Sequence, residues 1–142
     1  MSSLSNLDII SYVEKANIPS FRGVYNLDSL PKTGVLKHEC AVVNLDNSLG
    51  KGTHWVCYFK DLKKRIYFDS FGQVTPKEIQ IYLKTKDELK RNSAVIQRNT
   101  DIVQHINSTN CGQLCLFVLE ELAKGSSFHH ILTILRRDYG YL

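Results

Sequence analysis

The sequence predicts an α+β fold, a small mixed β-sheet with flanking helices, and three observations lead there. Three short apolar runs between residues 40 and 69 suit strands. From residue 75 onward the apolar positions switch to helical spacing. The segment starting at Cys111 is apolar around so much of its circumference that it belongs at the centre of the core, as a buried helix. At 142 residues the chain is expected to be one domain, 1–142, with a single core.

The elements follow in order. A first helix is predicted over 6–16. Ser5 is its cap, Asp8 stands three residues on, and Ile9, Ile10, Val13 and Ala16 form its apolar face. Residues 19–37 hold two of the three prolines yet keep Phe21, Val24, Tyr25 and Leu27, so they read as an ordered loop packed on the core. Strands are expected over 40–45, 54–59 and 66–69, the last two joined by the polar turn 60–64. Thr75-Pro76-Lys77-Glu78 predicts a helix start, with Thr75 capping and Pro76 at the first helical position, and the helix running to about Arg91. Residues 94–96 and 102–103 are candidate short strands. The central helix is predicted over 111–124 with Gly125 as its left-handed stop, and an amphipathic helix over 127–138 presents Phe128, Ile131, Leu132 and Leu135.

Composition narrows the function classes. Apolar content of 43% with 23% charge is that of a folded globule, neither disordered nor collagen-like. No apolar run approaches the ~20 residues of a membrane-spanning helix, and residues 1–8 lack a signal-peptide pattern, so an intracellular, unsecreted, non-membrane protein is expected. Four cysteines, Cys40, Cys57, Cys111 and Cys115, then read as reduced thiols rather than a disulfide framework. A net charge of +4 is compatible with a polyanion partner without marking a dedicated nucleic-acid binder.

Chemistry concentrates in three strings: Gly52-Thr53-His54-Trp55, Tyr67-Phe68-Asp69-Ser70-Phe71-Gly72 and Asn110-Cys111-Gly112. A histidine, an acid and a cysteine are what a thiol hydrolase needs: a nucleophile, an imidazole to move its proton, and a carboxylate to orient the imidazole. A hairpin closed by two residues at Asp61 and Leu62 sets position 54 opposite position 69, so His54 and Asp69 are expected to be cross-strand neighbours. Cys111 begins the buried helix, where unpaired N–H groups and the helix dipole lower a thiol's pKa and can also donate to an oxyanion. The backbone N–H groups of Cys111 and Gly112 are the candidate oxyanion donors, and Gly112 leaves room for a substrate backbone. Gln104, seven residues before Cys111, offers a second donor through its amide.

These pieces resemble the adenovirus endopeptidase (adenain) family, relatives of the SUMO and ubiquitin-like protein proteases. The resemblance is carried by Phe21-Arg22-Gly23-Val24-Tyr25, His38-Glu39-Cys40-Ala41-Val42-Val43-Asn44, Gly52-Thr53-His54-Trp55-Val56, Tyr67-Phe68-Asp69-Ser70-Phe71-Gly72 and Val103-Gln104 through Cys111-Gly112-Gln113-Leu114-Cys115. It implies His54 as general base, Asp69 as its orienting acid, Cys111 as nucleophile and Gln104 as oxyanion donor. It also implies protein substrates, namely viral precursor or capsid proteins cut at small glycine-containing motifs during particle maturation. The family enzyme is stimulated by DNA and by a capsid-derived peptide linked to it through a disulfide. Where the family carries the peptide-accepting cysteine, between Arg91 and Gln104, this chain has Ser93 and no cysteine.

Simpler readings stand beside these. Cys115, one turn after Cys111, reads as core packing. Trp55 fills the core or walls the imidazole, and with Gly52 and Thr53 it is a candidate for substrate contact. The basic cluster Lys60, Lys63, Lys64 and Arg65, with a second at Lys84, Lys86, Lys90 and Arg91, is either a solvated face or a contact to viral DNA. His38, Cys40, Cys57, Cys111 and Cys115 lack metal-ligand spacing, so no metal and no required cofactor are expected, with DNA or a peptide as the activators the resemblance allows. The expectation is a monomeric cysteine endopeptidase of the host nucleus or cytoplasm, or packaged in the virion. Its rivals are a protease removing ubiquitin-like modifiers and a non-catalytic capsid-associated binding protein.

Overall fold

The Ser5 hydroxyl accepts the Asp8 N–H at 3.1 Å, and the Asp8 carboxylate accepts the Ser5 N–H at 2.9 Å. This reciprocal box starts helix α1, Asn6–Ala16, and left-handed Asn17 (φ 53°) ends it. The computed structural model describes residues 4–45, 54–84, 95–104 and 109–140. After α1 come strands β1 (Phe21–Asn26), β2 (Glu39–Asn44), β3 (Trp55–Lys60) and β4 (Arg65–Phe68), then helix α2 (Lys77–Tyr82) and strand β5 (Ile96–Arg98). Helices α3 (Cys111–Ala123) and α4 (Phe128–Tyr139) complete the chain order.

Among the described residues the five strands form one sheet in sequence order. β1 runs parallel to β2, β2–β3 and β3–β4 are antiparallel, and β5 runs parallel to β4, so the sheet is mixed as predicted. Side chains alternate between two cores. Cys40, Val42, Trp55, Cys57, Ile66 and Phe68 face α1, α3 and α4. Ala41, Val43, Val56, Tyr58 and Tyr67 face Ile79 and Leu83 at α2, with Leu27, Leu30 and Val35 of the 27–38 crossover. A central strand buried on both faces reads as an unbroken apolar run, which is why Cys-Ala-Val-Val was legible as β2.

The second face is pinned by a buried ion. The Glu39 side chain has no exposure and accepts from Arg22, the Leu36 N–H and the hydroxyls of Tyr58 and Tyr82. Strand, crossover and α2 are thereby tied at one carboxylate whose burial would otherwise be costly.

Several boundaries differ from expectation. Residues 21–26 are an edge strand rather than loop; their half-buried pattern, with Arg22 and Gly23 inside it, lacks the alternation that marks a strand. Pro76, not Thr75, occupies the cap of α2, without a side-chain cap bond, and α2 ends at Tyr82, with Leu83 and Lys84 in a turn; residues 85–91 of the predicted helix lie outside the described residues. The strand expected over 94–96 is displaced to 96–98. Residues 102–103 form no strand, although the Val103 N–H donates to Ser70 O at 2.8 Å. Gly125 (φ +98°) and Ser127, whose hydroxyl accepts the His130 N–H, stop α3 and start α4 where the sequence placed them. Among the described residues no helix is long and apolar enough to cross a membrane.

Candidate active site

His54 immediately precedes β3 and Asp69 immediately follows β4, so both project from one end of the hairpin. The register that brings them there differs from the predicted one. Cys57 pairs with Phe68 and Lys60 with Arg65, leaving a four-residue loop, because the Asp61 carboxylate accepts the N–H groups of Lys63 and Lys64, each at 2.8 Å. Positions 54 and 69 are therefore not directly opposed. A shift of two residues keeps both on the same face, so they meet on the diagonal instead. His54 Nε2 lies 2.7 Å from Asp69 Oδ1. Phe71 takes the opposed place, its ring stacked on the imidazole with centroids 4.9 Å apart.

Asp69 is held by its own turn and by the segment after β5. Its Oδ1 also accepts the Phe71 N–H at 2.9 Å, and its backbone O accepts the Gly72 N–H at 2.8 Å. Asn99, itself buried, clamps the same residue: its Oδ1 accepts the Asp69 N–H at 3.2 Å, and its Nδ2 donates to Asp69 O at 2.6 Å and to Asp101 O at 3.2 Å. Gly72 sits at φ +67°, and a Cβ there would lie 2.6 Å from the Asp101 backbone. Gly72→Ala is therefore expected to lower stability by about 2 kcal/mol and to loosen Asp69. A thermal melt matching the parent would contradict this.

Cys111 is the first residue of α3, and the Asn110 side chain makes no cap bond there. The Trp55 N–H donates to the sulfur at 3.5 Å, the Gly112 N–H also hydrogen-bonds to it, and the His54 ring is its side-chain partner. With Nε2 engaged by Asp69, the ring nitrogen that meets the sulfur is Nδ1. Burial alone would raise the Cys111 thiol, but the bond to His54, the Trp55 N–H and the imidazolium charge outweigh it and hold the thiol below its ordinary value. Burial likewise opposes the His54 cation. Hydrogen bonds and charge from Asp69 and Cys111 win, and the imidazole is raised to about 9. Both shifts favour the thiolate–imidazolium pair over the neutral one.

The other thiols behave differently. Burial pushes Cys40 up to about 12, and burial with the bond to Cys57 raises Cys115 well above the usual thiol value. Cys115 donates to Trp55 O at 3.4 Å within the core, as expected for a packing residue. All four cysteines are unbridged.

Gln104 is buried, and its Oε1 accepts the Ser70 hydroxyl in a short hydrogen bond. This bond uses the carbonyl end of the amide as acceptor, so donation from Gln104 comes through its NH2 end. Three expectations need correction. Gly112 does not open a path for a substrate backbone, since a Cβ there would lie 3.0 Å from the Trp55 ring and 3.3 Å from Leu4. Trp55 is 1% exposed, packs in the core and donates through its indole to Leu4 O at 3.0 Å, so it is no substrate contact surface. Lys60 is 4% exposed, opposite Glu39 across the sheet, and cannot reach a phosphate backbone. Lys63 is exposed, Lys64 lies over the Phe59 ring and Arg65 donates to Leu83 O, so the remaining basic cluster is spread over three settings. Gly52, Thr53, Lys86, Lys90, Arg91 and Ser93 lie outside the described residues. Among the described residues no three metal-ligating side chains are gathered.

The sequence model of the adenovirus endoprotease family matches residues 21–132, which takes in every element from β1 into α4. The chain belongs to that family. A protease of bovine adenovirus 2 is 34% identical over 58% of this chain and 45% of its own length. The chain thus spans about half the length of the adenovirus relative it matches. Among solved structures an ASFV protease superposes with a TM-score of 0.66 at 16% identity, covering 99% of this chain and 68% of that one. The SUMO protease Ulp1, solved with its catalytic cysteine oxidized to a sulfinic acid, gives a TM-score of 0.54 at 17% identity, covering 94% of this chain and 74% of that one. These likenesses assign the fold. The adenovirus endoprotease membership also agrees with the strings from which the resemblance was read, all of which fall within the matched span.

Asn99, Ser70 and Phe71 were not singled out by sequence reasoning. Ser70 and Phe71 lay inside a quoted motif without a role, and Asn99 carries no sequence signal at all, since its partner Asp69 stands 30 residues away.

Proposed function

We propose that this chain is a cysteine endopeptidase that cleaves viral, or virus-like element, precursor proteins at small glycine-containing motifs during particle maturation. The observation that carries the reading is the hydrogen-bonded series from Cys111 sulfur through the His54 imidazole to the buried Asp69 carboxylate, with the sulfur at a helix N-terminus. The Cys111 thiolate attacks the peptide carbonyl carbon, forming a C–S bond and placing charge on the oxygen. Backbone N–H groups at the start of α3 and the Gln104 amide stabilise that oxyanion. The His54 imidazolium gives its proton to the leaving amine as the C–N bond breaks, and a thioester remains. Neutral His54 then takes a proton from water, which attacks the thioester and releases the acid, returning the thiolate–imidazolium pair. Asp69 holds the ring so that Nδ1 faces sulfur throughout.

DNA and a peptide are the candidate activators, the work is done as a monomer in the host nucleus or cytoplasm or in the particle, and no metal enters the chemistry. The fold shared with the SUMO protease Ulp1 favours a second reading, removal of ubiquitin-like modifiers. Candidate precursor proteins and a modifier carrying a C-terminal reporter are to be incubated with the chain and with Cys111→Ala, with and without DNA. Cleavage of the precursors next to glycine, absent in Cys111→Ala, is the expected result. Faster release of the modifier reporter would install the second reading, and cleavage of neither under any condition would favour a non-catalytic binding protein.

A further inference from the structure

The acid and the amide of this site are joined to each other away from the imidazole. Asp69 and Ser70 are consecutive in the turn after β4, while Asn99 and Gln104 bracket the segment after β5. Four bonds bind the two segments. Asn99 takes the Asp69 N–H and gives to the Asp69 carbonyl, Val103 N–H gives to Ser70 O, and the Ser70 hydroxyl gives to Gln104 Oε1. Ser70, Asn99 and Gln104 are all within 2% of full burial, so water does not substitute readily for any of them. Farther out, Arg136 of α4 grips Asp101 with two nitrogens, so the segment is held from outside as well.

We infer that Ser70 and Asn99 are positioning residues, Ser70 turning the Gln104 amide toward the oxyanion and Asn99 fixing the backbone from which the Asp69 carboxylate reaches His54. The inference rests on the peptidase reading. Its content is that one pair of segments sets two different catalytic functions, which two assays separate. Alkylation of Cys111 by iodoacetamide requires the thiolate, which the imidazolium favours, but forms no carbonyl oxyanion. Peptide hydrolysis requires both.

Ser70→Ala is expected to lower kcat for peptide hydrolysis by about tenfold, short of the ~100-fold or more for loss of a whole oxyanion donor. It should leave the rate and pH profile of Cys111 alkylation unchanged. In Gln104→Ala the further change Ser70→Ala should cost nothing, because the hydroxyl then has no amide to orient. Asn99→Ala is expected to do what Ser70→Ala does not: move the alkylation profile of Cys111 to higher pH, since a displaced Asp69 supports the imidazolium less well. Asn99→Ser, which keeps a hydroxyl in place of the amide, should give a smaller move and supplies the measurement if Asn99→Ala does not fold.

Three results would overturn the inference while leaving the peptidase reading intact. They are equal loss of alkylation and hydrolysis in Ser70→Ala, full additivity of Ser70→Ala with Gln104→Ala, or an unshifted alkylation profile in a folded Asn99 variant. A parent chain with neither hydrolysis nor a fast thiol would instead sink the peptidase reading itself.

Discussion

Cys111→Ala is expected to reduce peptide hydrolysis to the uncatalysed rate, and in the parent chain iodoacetamide at pH 7 should label Cys111 well ahead of the other three thiols. Free cysteines favour cores, and by burial alone all four here look alike. Their surroundings differ. With the Cys40 thiol pushed up to about 12, only about one molecule in 10⁵ carries that thiolate at pH 7. Cys115 is also raised well above the ordinary thiol value by burial, and it is wholly enclosed. Cys111 alone is ringed by an imidazolium and two backbone N–H groups, and its value is lowered despite burial. Mass spectrometry of the labelled chain locates the site. Four equally slow thiols, or Cys40 reacting first, would remove the nucleophile assignment.

The second large effect concerns His54. His54→Ala is expected to lower hydrolysis by about 10⁴-fold, the loss of both proton acceptor and proton donor, and to slow alkylation of Cys111 at pH 7 by about tenfold or more. The pH dependence fixes the sign of each effect. In the parent chain both reactions rise as Cys111 deprotonates, on a limb below the ordinary thiol range. Hydrolysis should then fall as pH passes about 9, where His54 loses the proton owed to the leaving amine. Alkylation should show no such fall, because the thiolate persists. In His54→Ala the alkylation limb moves to higher pH, since only the Trp55 and Gly112 N–H groups still favour the anion. An alkylation profile identical in the two proteins would mean that the imidazole does not support the sulfur. Stopped-flow alkylation across pH 5–10 measures this directly.

What the sequence disclosed, and what it withheld, follow the range of the forces involved. Ser5 with Asp8, Gly125 and Ser127 act within a few residues, and all three were readable. β2 was readable because burial on both faces forces an apolar run. β1 was not: its residues are half exposed, and it becomes a strand by pairing with β2, a contact that no local pattern encodes. The His54–Asp69 meeting was foreseen for a partly mistaken reason. Asp61 builds a longer turn than two residues, yet the period of two along a strand left both side chains on the same face. Gly112 shows the opposite error, where absence of a side chain was read as space for substrate but is filled by Trp55 and Leu4. Asn99 and the Ser70–Gln104 bond are long-range polar satisfactions, visible only once the chain has folded.

The sulfur rides on a helix whereas the base and the acid hang from a hairpin more than 40 residues earlier, and the two are brought together by packing of the helix on β3, where Trp55 meets Cys111 and Cys115. Neither half is corrosive alone. A nascent chain that has made its hairpin but not yet docked α3 holds an ordinary thiol and an idle imidazole, so it cannot attack its neighbours or itself. Reactivity is thus conferred by the docking of the two, and the rate at which the thiol reacts becomes a gauge of how completely the halves are joined.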